Sequence, residues 1–564
     1  MNVIPNQPLE HAPSVLFRNA ALWRDRARFM LPDGAGGWTP VTWGEHVDEV
    51  RGQGAYLMSV GFVSGERGAV FGDNSVQWMA AALALQAVGG VMVPVYPSLT
   101  PEQLGYVVGH SDARVVYVGS TGLLAKLLQA WEALGQVTHI VTLSDAVDVE
   151  VAVERARAAG AALPELGRFG KEIVTWGEAL AIGQEFDDAH PGAFSARLGG
   201  VELGQDGVML YTSGTTGNPK GVPLTHANVA SNGRDWLECN GPLVEEGDID
   251  VLWLPLSHIF GFGEVCLGNS LGFLTYWSDP TKVLGVLPEV KPQVFMSVPR
   301  MFEKLATAAM QEPDAASQRA KLDALTGGRM RFCLSGGAGL KREVKEFLYR
   351  HGMLIIEGYG LTEASPTLTL NRPDSFRFDS VGKPLPSVEL KLAEDGEILA
   401  KGPNIFRGYH KDEAATREAF TEDGWLKTGD VGRWTEDGFL QIIDRKKEIL
   451  VTAQGKNIPP ANIEQRFADD PVIAQVVVYG DGHPYLVAGV WLHPGADGAS
   501  VGARIEAVNA GLARYETIKR FAIIETPLTV EEDLITPSLK IKRKKIYARF
   551  RDVFEGLYTS GQEA

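Results

Sequence analysis

Between residues 74 and 143 the chain alternates helical patterns with short β-branched runs, and no other feature constrains its fold as strongly. A helix is expected after Asn74, with Asp73, Asn74 and Ser75 available to cap its start. Then come a strand at 91–95, a helix opened by Thr100 and Pro101, a strand at 115–118, a helix at 123–133 and a strand at 137–143. Such alternation implies βαβ crossovers, hence largely parallel sheets with helices on their faces. The run WMAAALALQAVGGVMVPVY (78–96) approaches the roughly 20 residues a bilayer requires. Gln86, the Gly89-Gly90 pair and Pro94 interrupt it, so a buried helix, a turn and a buried strand are expected instead.

With 564 residues, 45% of them hydrophobic, the chain has material for several lobes. Its net charge of -17 excludes broad contact with a nucleic-acid backbone, although a local cluster can still hold a small anion. Cys239, Cys266 and Cys333 are too few and too scattered for a disulfide framework or a metal site. The N-terminus lacks the order of a secretory signal, so a cytoplasmic setting is expected, with peripheral contact at the inner membrane face and a homodimer left open. Beyond about Gly382 the texture becomes β-rich, with hairpin signals at Asp395-Gly396, Asp423-Gly424 and Asp437-Gly438. The charged run DRKKE (444–448) then reads as a linker, followed by mixed helix and strand, including paired strands at 475–479 and 485–492.

The stretch YTSGTTGNPKGV (211–222) carries the sharpest chemical signal. Six hydroxyl or glycine residues in succession, Thr212, Ser213, Gly214, Thr215, Thr216 and Gly217, let a backbone approach an anion and surround it with donors. Lys220 can then reach outer phosphates as a point charge. A P-loop is excluded, because Pro219 precedes the lysine and Gly221 follows it. The flanks suggest a strand, VMLY at 208–211, feeding the loop, and a helix after Thr225 receiving it.

This loop resembles the phosphate-loop signature of the adenylate-forming superfamily, which includes acyl-CoA synthetases, luciferases and peptide-synthetase adenylation domains. The chain also carries, in the family's order, LPLSHIFG (254–261), CLSGGAGL (333–340), EGYGLTEASP (357–366), KTGDVGRW (427–434), IIDRKKEILVTAQGKNIPP (442–460) and TPSLKIKRKK (536–545). The resemblance implies an α/β fold: a large multi-lobed N-terminal adenylation domain (1–443) with mainly parallel sheets and a β-rich lobe, a hinge at 444–447 that includes Lys447, and a small mobile α+β lid domain (448–564).

Site roles follow from the same resemblance. Tyr359 is expected to stack on adenine, with Gly336, Gly337, Ala338, Glu357, Gly358 and Gly360 around it, and Asp430 and Arg445 on the ribose or phosphate. Read alone, GYGLTE is a turn ahead of a capped helix and Asp430 a turn aspartate. Thr362 is expected at the α-phosphate, and Glu363, a hard oxygen ligand, at Mg2+. A lone histidine is more often structural, but His258 matches the family's position beside the substrate carboxylate. In KIKRKK (540–545), otherwise an exposed basic helix start, Lys540 matches the lysine that bridges carboxylate and nucleotide, and Arg543 is expected to face coenzyme A phosphates. Gln454, Gly455 and Lys456 fall in the segment that lines the family's thiol passage, Gln454 where close relatives carry glycine.

The expected activity is ATP-dependent activation of a long-chain fatty acid as acyl-AMP, followed by transfer to coenzyme A. The chain-length expectation rests on the wording of LPLSHIF, VPRMFEKL (298–305), AQGKNIPP and TPSLKIKRK. Alternatives are an acyl-AMP ligase that loads a carrier protein, a ligase for medium, very-long-chain or aryl acids, and a nucleotide-binding regulator without turnover. The last would be expected to lack Lys540 or Glu363, and both are present.

Overall fold

A computed structural model describes residues 8–165, 170–212, 218–468, 470–530, 532–536 and 540–559. Among these residues the alternating first half builds a seven-stranded sheet in the order Glu172–Val174, His139–Thr142, Ala113–Val118, Arg67–Phe71, Val91–Val95, Asp206–Thr212 and Lys220–Thr225. All its pairings are parallel except the last. The run at 78–96 resolves as expected: the helix Val76–Ala87 is buried at every position but Gln77, and the strand Val91–Val95 is buried throughout. Ser75 caps that helix, its hydroxyl accepting from the Trp78 amide at 3.0 Å. Asn74 faces elsewhere, donating to the Leu254 carbonyl and accepting from the Leu256 amide. No described helix is long and apolar enough to cross a membrane.

A nine-stranded sheet lies beside the first. Its parallel centre runs from Ile355–Gly360 through Phe332–Ser335, Val294–Ser297, Ile249–Leu252 and Leu274–Trp277 to Ala27–Pro32, and its edges are antiparallel. The β-rich lobe is a four-stranded antiparallel sheet of Glu389–Leu392, Glu397–Lys401, Leu426–Trp434 and Leu440–Arg445. Asp395-Gly396 and Asp437-Gly438 turn its hairpins, with both glycines at positive φ. Asp423-Gly424 makes a smaller turn, closed by a single bridge between Phe420 and Leu426. The last sheet pairs Ile473–Tyr479 with Leu486–Leu492 and then Ile518–Ile523, and has its own apolar clusters.

The helix expected after Thr225 is present as His226–Asn240, capped by Thr225. The strand before it was not expected: Lys220–Thr225 is an edge strand, antiparallel to Asp206–Thr212, with Thr212 and Lys220 directly opposite. Pro223 is tolerated because the strand lies at the sheet edge, where a missing N–H costs no ladder bond.

Candidate active site

In open parallel sheets, ligands bind beyond the carboxyl ends of the strands, and the expected site residues collect there. Thr212 ends one strand, His258 follows Ile249–Leu252, residues 336–338 follow Phe332–Ser335, and residues 358–360 end Ile355–Gly360. They line a cleft of 3920 Å³ together with Lys220, Glu357, Thr362, Glu363, Asp430, Arg445, Lys447 and Lys540. Ser213, Gly214, Thr215, Thr216 and Gly217 lie outside the described residues.

Asp430 and Arg445 are direct partners across the strands Leu426–Trp434 and Leu440–Arg445. The guanidinium Nε stands 2.9 Å from Asp430 Oδ1, and the Tyr359 hydroxyl donates to Asp430 Oδ2 at 2.6 Å. Burial and this carboxylate push the Tyr359 phenol well above its ordinary value, so it remains a donor.

Glu357 is buried at the cleft wall, with its carboxylate engaged by protein partners. Its carboxylate accepts from the Leu340 amide at 2.7 Å and from buried Lys345, bracing the 336–340 loop from beneath. Gly358 and Gly360 serve packing: a Cβ on Gly360 would lie 1.8 Å from the Pro366 carbonyl oxygen, and one on Gly358 2.8 Å from Leu370 Cδ1. A Cβ on Gly336 would meet the Phe260 ring at 2.9 Å.

His258 caps the helix Ile259–Leu271, its Nδ1 accepting from the Phe260 amide at 3.1 Å, so the neutral ring carries its proton on Nε2. Burial, and then the charge of Lys540, lower its pKa to about 4. Lys540 reaches the cleft from the C-terminal domain, its backbone held by hydrogen bonds with Thr536 in both directions. Partial desolvation in the cleft, then the charge of Arg445, hold its ammonium below the usual lysine range, while the residue as a whole stays exposed.

Two expected coenzyme A positions are engaged by the protein itself in this arrangement. Arg543 is buried in a two-point pair with Glu464, at 2.5 and 2.8 Å, and reaches Glu448 at 3.3 Å. Gln454, Gly455 and Lys456 sit at the tip of the hairpin Leu450–Val451/Asn457–Ile458 and are absent from the cleft wall, with the Gln454 amide donating to the Pro484 carbonyl.

Two contributors escaped sequence reading. Lys345 gave a weak signal, a charge beside the apolar stripe of Val344, Phe347 and Leu348 on its helix. Tyr409 gave none. Its hydroxyl donates to Glu363 Oε1 at 2.9 Å. No cluster of three or more ligating side chains occurs among the described residues. A lone carboxylate on the cleft wall, with one oxygen held, therefore fits Mg2+ arriving with phosphates better than a protein cage.

A two-domain α/β fold whose cleft gathers residues from several strand ends and a lysine from the smaller domain defines a nucleotide-using enzyme class. The family description "AMP-binding enzyme" matches residues 16–410, and "AMP-binding enzyme C-terminal domain" matches 447–562. The chain is 32% identical to a long-chain-fatty-acid–CoA ligase of Mycobacterium bovis over 93% of both chains. It is 30% identical to the peroxisomal long chain acyl-CoA synthetase 6 of Arabidopsis thaliana, over 92% of this chain and 81% of that one. The adenylation domain of carboxylic acid reductase from Segniliparus rugosus, solved with AMP and a carboxylic acid, superposes with a TM-score of 0.80 at 22% identity, covering 98% of this chain and 95% of that one. The chain belongs to the AMP-binding, adenylate-forming superfamily and, within it, to the acid–CoA ligase family.

Proposed function

We propose that this chain is a long-chain fatty-acid–CoA ligase that uses ATP and Mg2+, forms acyl-AMP with release of pyrophosphate, and passes the acyl group to coenzyme A. The observation that carries this reading is the convergence of Lys540, from the small domain, on a cleft already lined by His258, Thr212, Lys220, Glu363, Asp430 and Arg445. The long-chain assignment draws on relatives of that name at 30–32% identity over more than nine-tenths of the chain.

A carboxylate must be activated because oxide is a poor leaving group, yet bringing it to a triphosphate sets two anions against each other. Preorganised cations and donors offset that repulsion. In this reading Lys540 bridges the carboxylate and the α-phosphate, with Thr362 beside it, and Lys220 and residues 212–217 hold the outer phosphates. Tyr359 lies against adenine while residues 336–338 shape the pocket, and Asp430 with Arg445 holds the ribose. His258, neutral at pH 7, donates from Nε2 and orients the acid without supplying charge. Bound at Glu363, Mg2+ would offset charge on the departing pyrophosphate. For the second half-reaction the small domain turns about residues 444–447, withdrawing Lys540 and bringing residues 454–456 from their position off the cleft to the thiol path.

The test is Lys540→Ala, assayed by ATP–pyrophosphate exchange across fatty acids of graded length and by thioester formation from preformed acyl-AMP and coenzyme A. Exchange should fall by about 100-fold or more, with the transfer step preserved. Equal loss of both steps contradicts the division of labour, and exchange peaking on short or aryl acids contradicts the long-chain assignment.

A further inference from the structure

Glu363 and Lys220 face the same cleft with opposite charge, and Tyr409 stands between them. Its hydroxyl donates to Glu363 Oε1 at 2.9 Å, and the Lys220 ammonium lies over its ring, 4.8 Å from the centroid. The carboxylate takes the phenol's hydrogen bond while the ring's negative face takes the cation. One side chain thus engages both charges.

The backbone around Tyr409 explains why its ring is fixed. Phe406 N–H donates to the Glu363 carbonyl at 2.9 Å, and Asn404 Nδ2 donates to the carbonyls of Ala364 and Thr367 at 2.8 and 2.9 Å. The Ser365 hydroxyl returns a bond to the Asn404 carbonyl at 2.8 Å. On the far side, His410 N–H donates to the Gly221 carbonyl at 2.9 Å, on the strand that carries Lys220. The segment is therefore tied at one end to the Glu363 turn and at the other to the Lys220 strand. Tyr409 itself is pinned by its N–H to Thr416 Oγ1 at 2.9 Å and by the edge of Phe406, at a centroid distance of 4.9 Å.

We propose that Tyr409 is a positioning residue that holds the anionic and cationic sides of the triphosphate site apart, keeping Glu363 available to a divalent cation and Lys220 to phosphate. Without such a spacer, a lysine and a glutamate facing one cleft would lower their energy by pairing directly, removing a metal ligand and a phosphate contact together. This inference rests on the ATP reading above and adds the means by which the metal side of that site is set.

The test compares the unaltered chain with Tyr409→Phe and Tyr409→Leu, using Mn2+ as the probe ion and α,β-methylene-ATP, which cannot release pyrophosphate. Bound Mn2+ is counted by electron paramagnetic resonance, and nucleotide binding is measured calorimetrically with and without the ion. Tyr409→Phe should weaken Mn2+ in the ternary complex by about 10-fold and leave metal-free nucleotide binding unchanged. Tyr409→Leu, which also lets Lys220 swing to Glu363, should weaken both. A merely structural role would shift the melting temperature without this split. Wild-type Mn2+ affinity in Tyr409→Phe overturns the inference alone. Absence of nucleotide binding by the unaltered chain overturns the ATP reading and the inference with it.

Discussion

Lys345 and Glu357 show how a charge can support a site without facing it. Both are nearly fully buried, and the carboxylate also receives the Leu340 amide, so the pair holds up the loop at 336–340. Removing one partner of a buried pair strands the other in low dielectric, which typically costs about 3–5 kcal/mol. We expect Lys345→Met to lose stability on that scale, while the double variant Lys345→Met/Glu357→Gln, with no stranded charge and an acceptor still facing Leu340, recovers most of it. Urea unfolding of the two variants and the parent measures this, and an undiminished Lys345→Met chain would show that the pair does not matter. At this scale the sequence was legible for residues whose chemistry is local, such as Thr100, which opens the helix Pro101–His110, and Ser75, which caps Val76–Ala87. It was not legible for Arg543, because nothing near KIKRKK reveals that Glu464, distant in the chain, takes its guanidinium.

The helix Ile259–Leu271 carries an unusual burden, since Glu264 is buried on it and neither carboxylate oxygen meets a hydrogen-bond donor among the described residues. Burial, then the nearby Asp250 carboxylate, push its pKa well up, and burial also raises Asp250 to about 6 against the opposing charge of Arg28. A group whose folded pKa lies above its unfolded value stabilises most below the unfolded value and loses that contribution as pH rises through the folded one. Glu264→Gln removes this liability without changing shape. Its melting temperature relative to the parent should therefore rise between pH 5 and pH 8, by several degrees at the upper end for about 2 kcal/mol or more of relieved cost. An offset equal at both pH values would mean that the carboxyl is not held protonated. Elements were otherwise well legible where periodicity is strong, as at Val76–Ala87, and poorly at their ends: the helix expected at 123–133 divides into Thr121–Gln129 and a short turn at Trp131–Ala133. The strand Lys220–Thr225 was missed because Pro223 argues against any strand that is not at an edge, and edges are decided by the assembled sheet.

Across the whole molecule, the apolar cores respect a boundary that the polar contacts cross. The two clusters that fill the large sheets contain no buried residue beyond Leu426, and those of the small domain begin at Leu450. Polar contacts do cross between the domains: Lys341 Nζ donates to the Ala468 carbonyl at 2.6 Å, and the Ala461 amide to Asp444 Oδ2 at 3.3 Å. Such bonds can be exchanged for water without exposing apolar surface, which suits the turning proposed above for the small domain. A chain ending after Lys446 keeps both large cores, the strand Leu440–Arg445 and the Asp430–Arg445–Tyr359 contacts, but lacks Lys540. We expect that shortened chain to fold cooperatively and to bind AMP within about 10-fold of the parent, because one lost charge–phosphate contact at the rim of a site is worth roughly 1.4 kcal/mol or less. ATP–pyrophosphate exchange should nevertheless fall by about 100-fold or more, since that step needs the cation where charge develops. Calorimetric AMP titration and exchange assays on the same sample separate the two outcomes. Exchange surviving in the shortened chain would remove Lys540 from the first half-reaction, and loss of AMP binding in a chain that still melts cooperatively would place the nucleotide site across both domains.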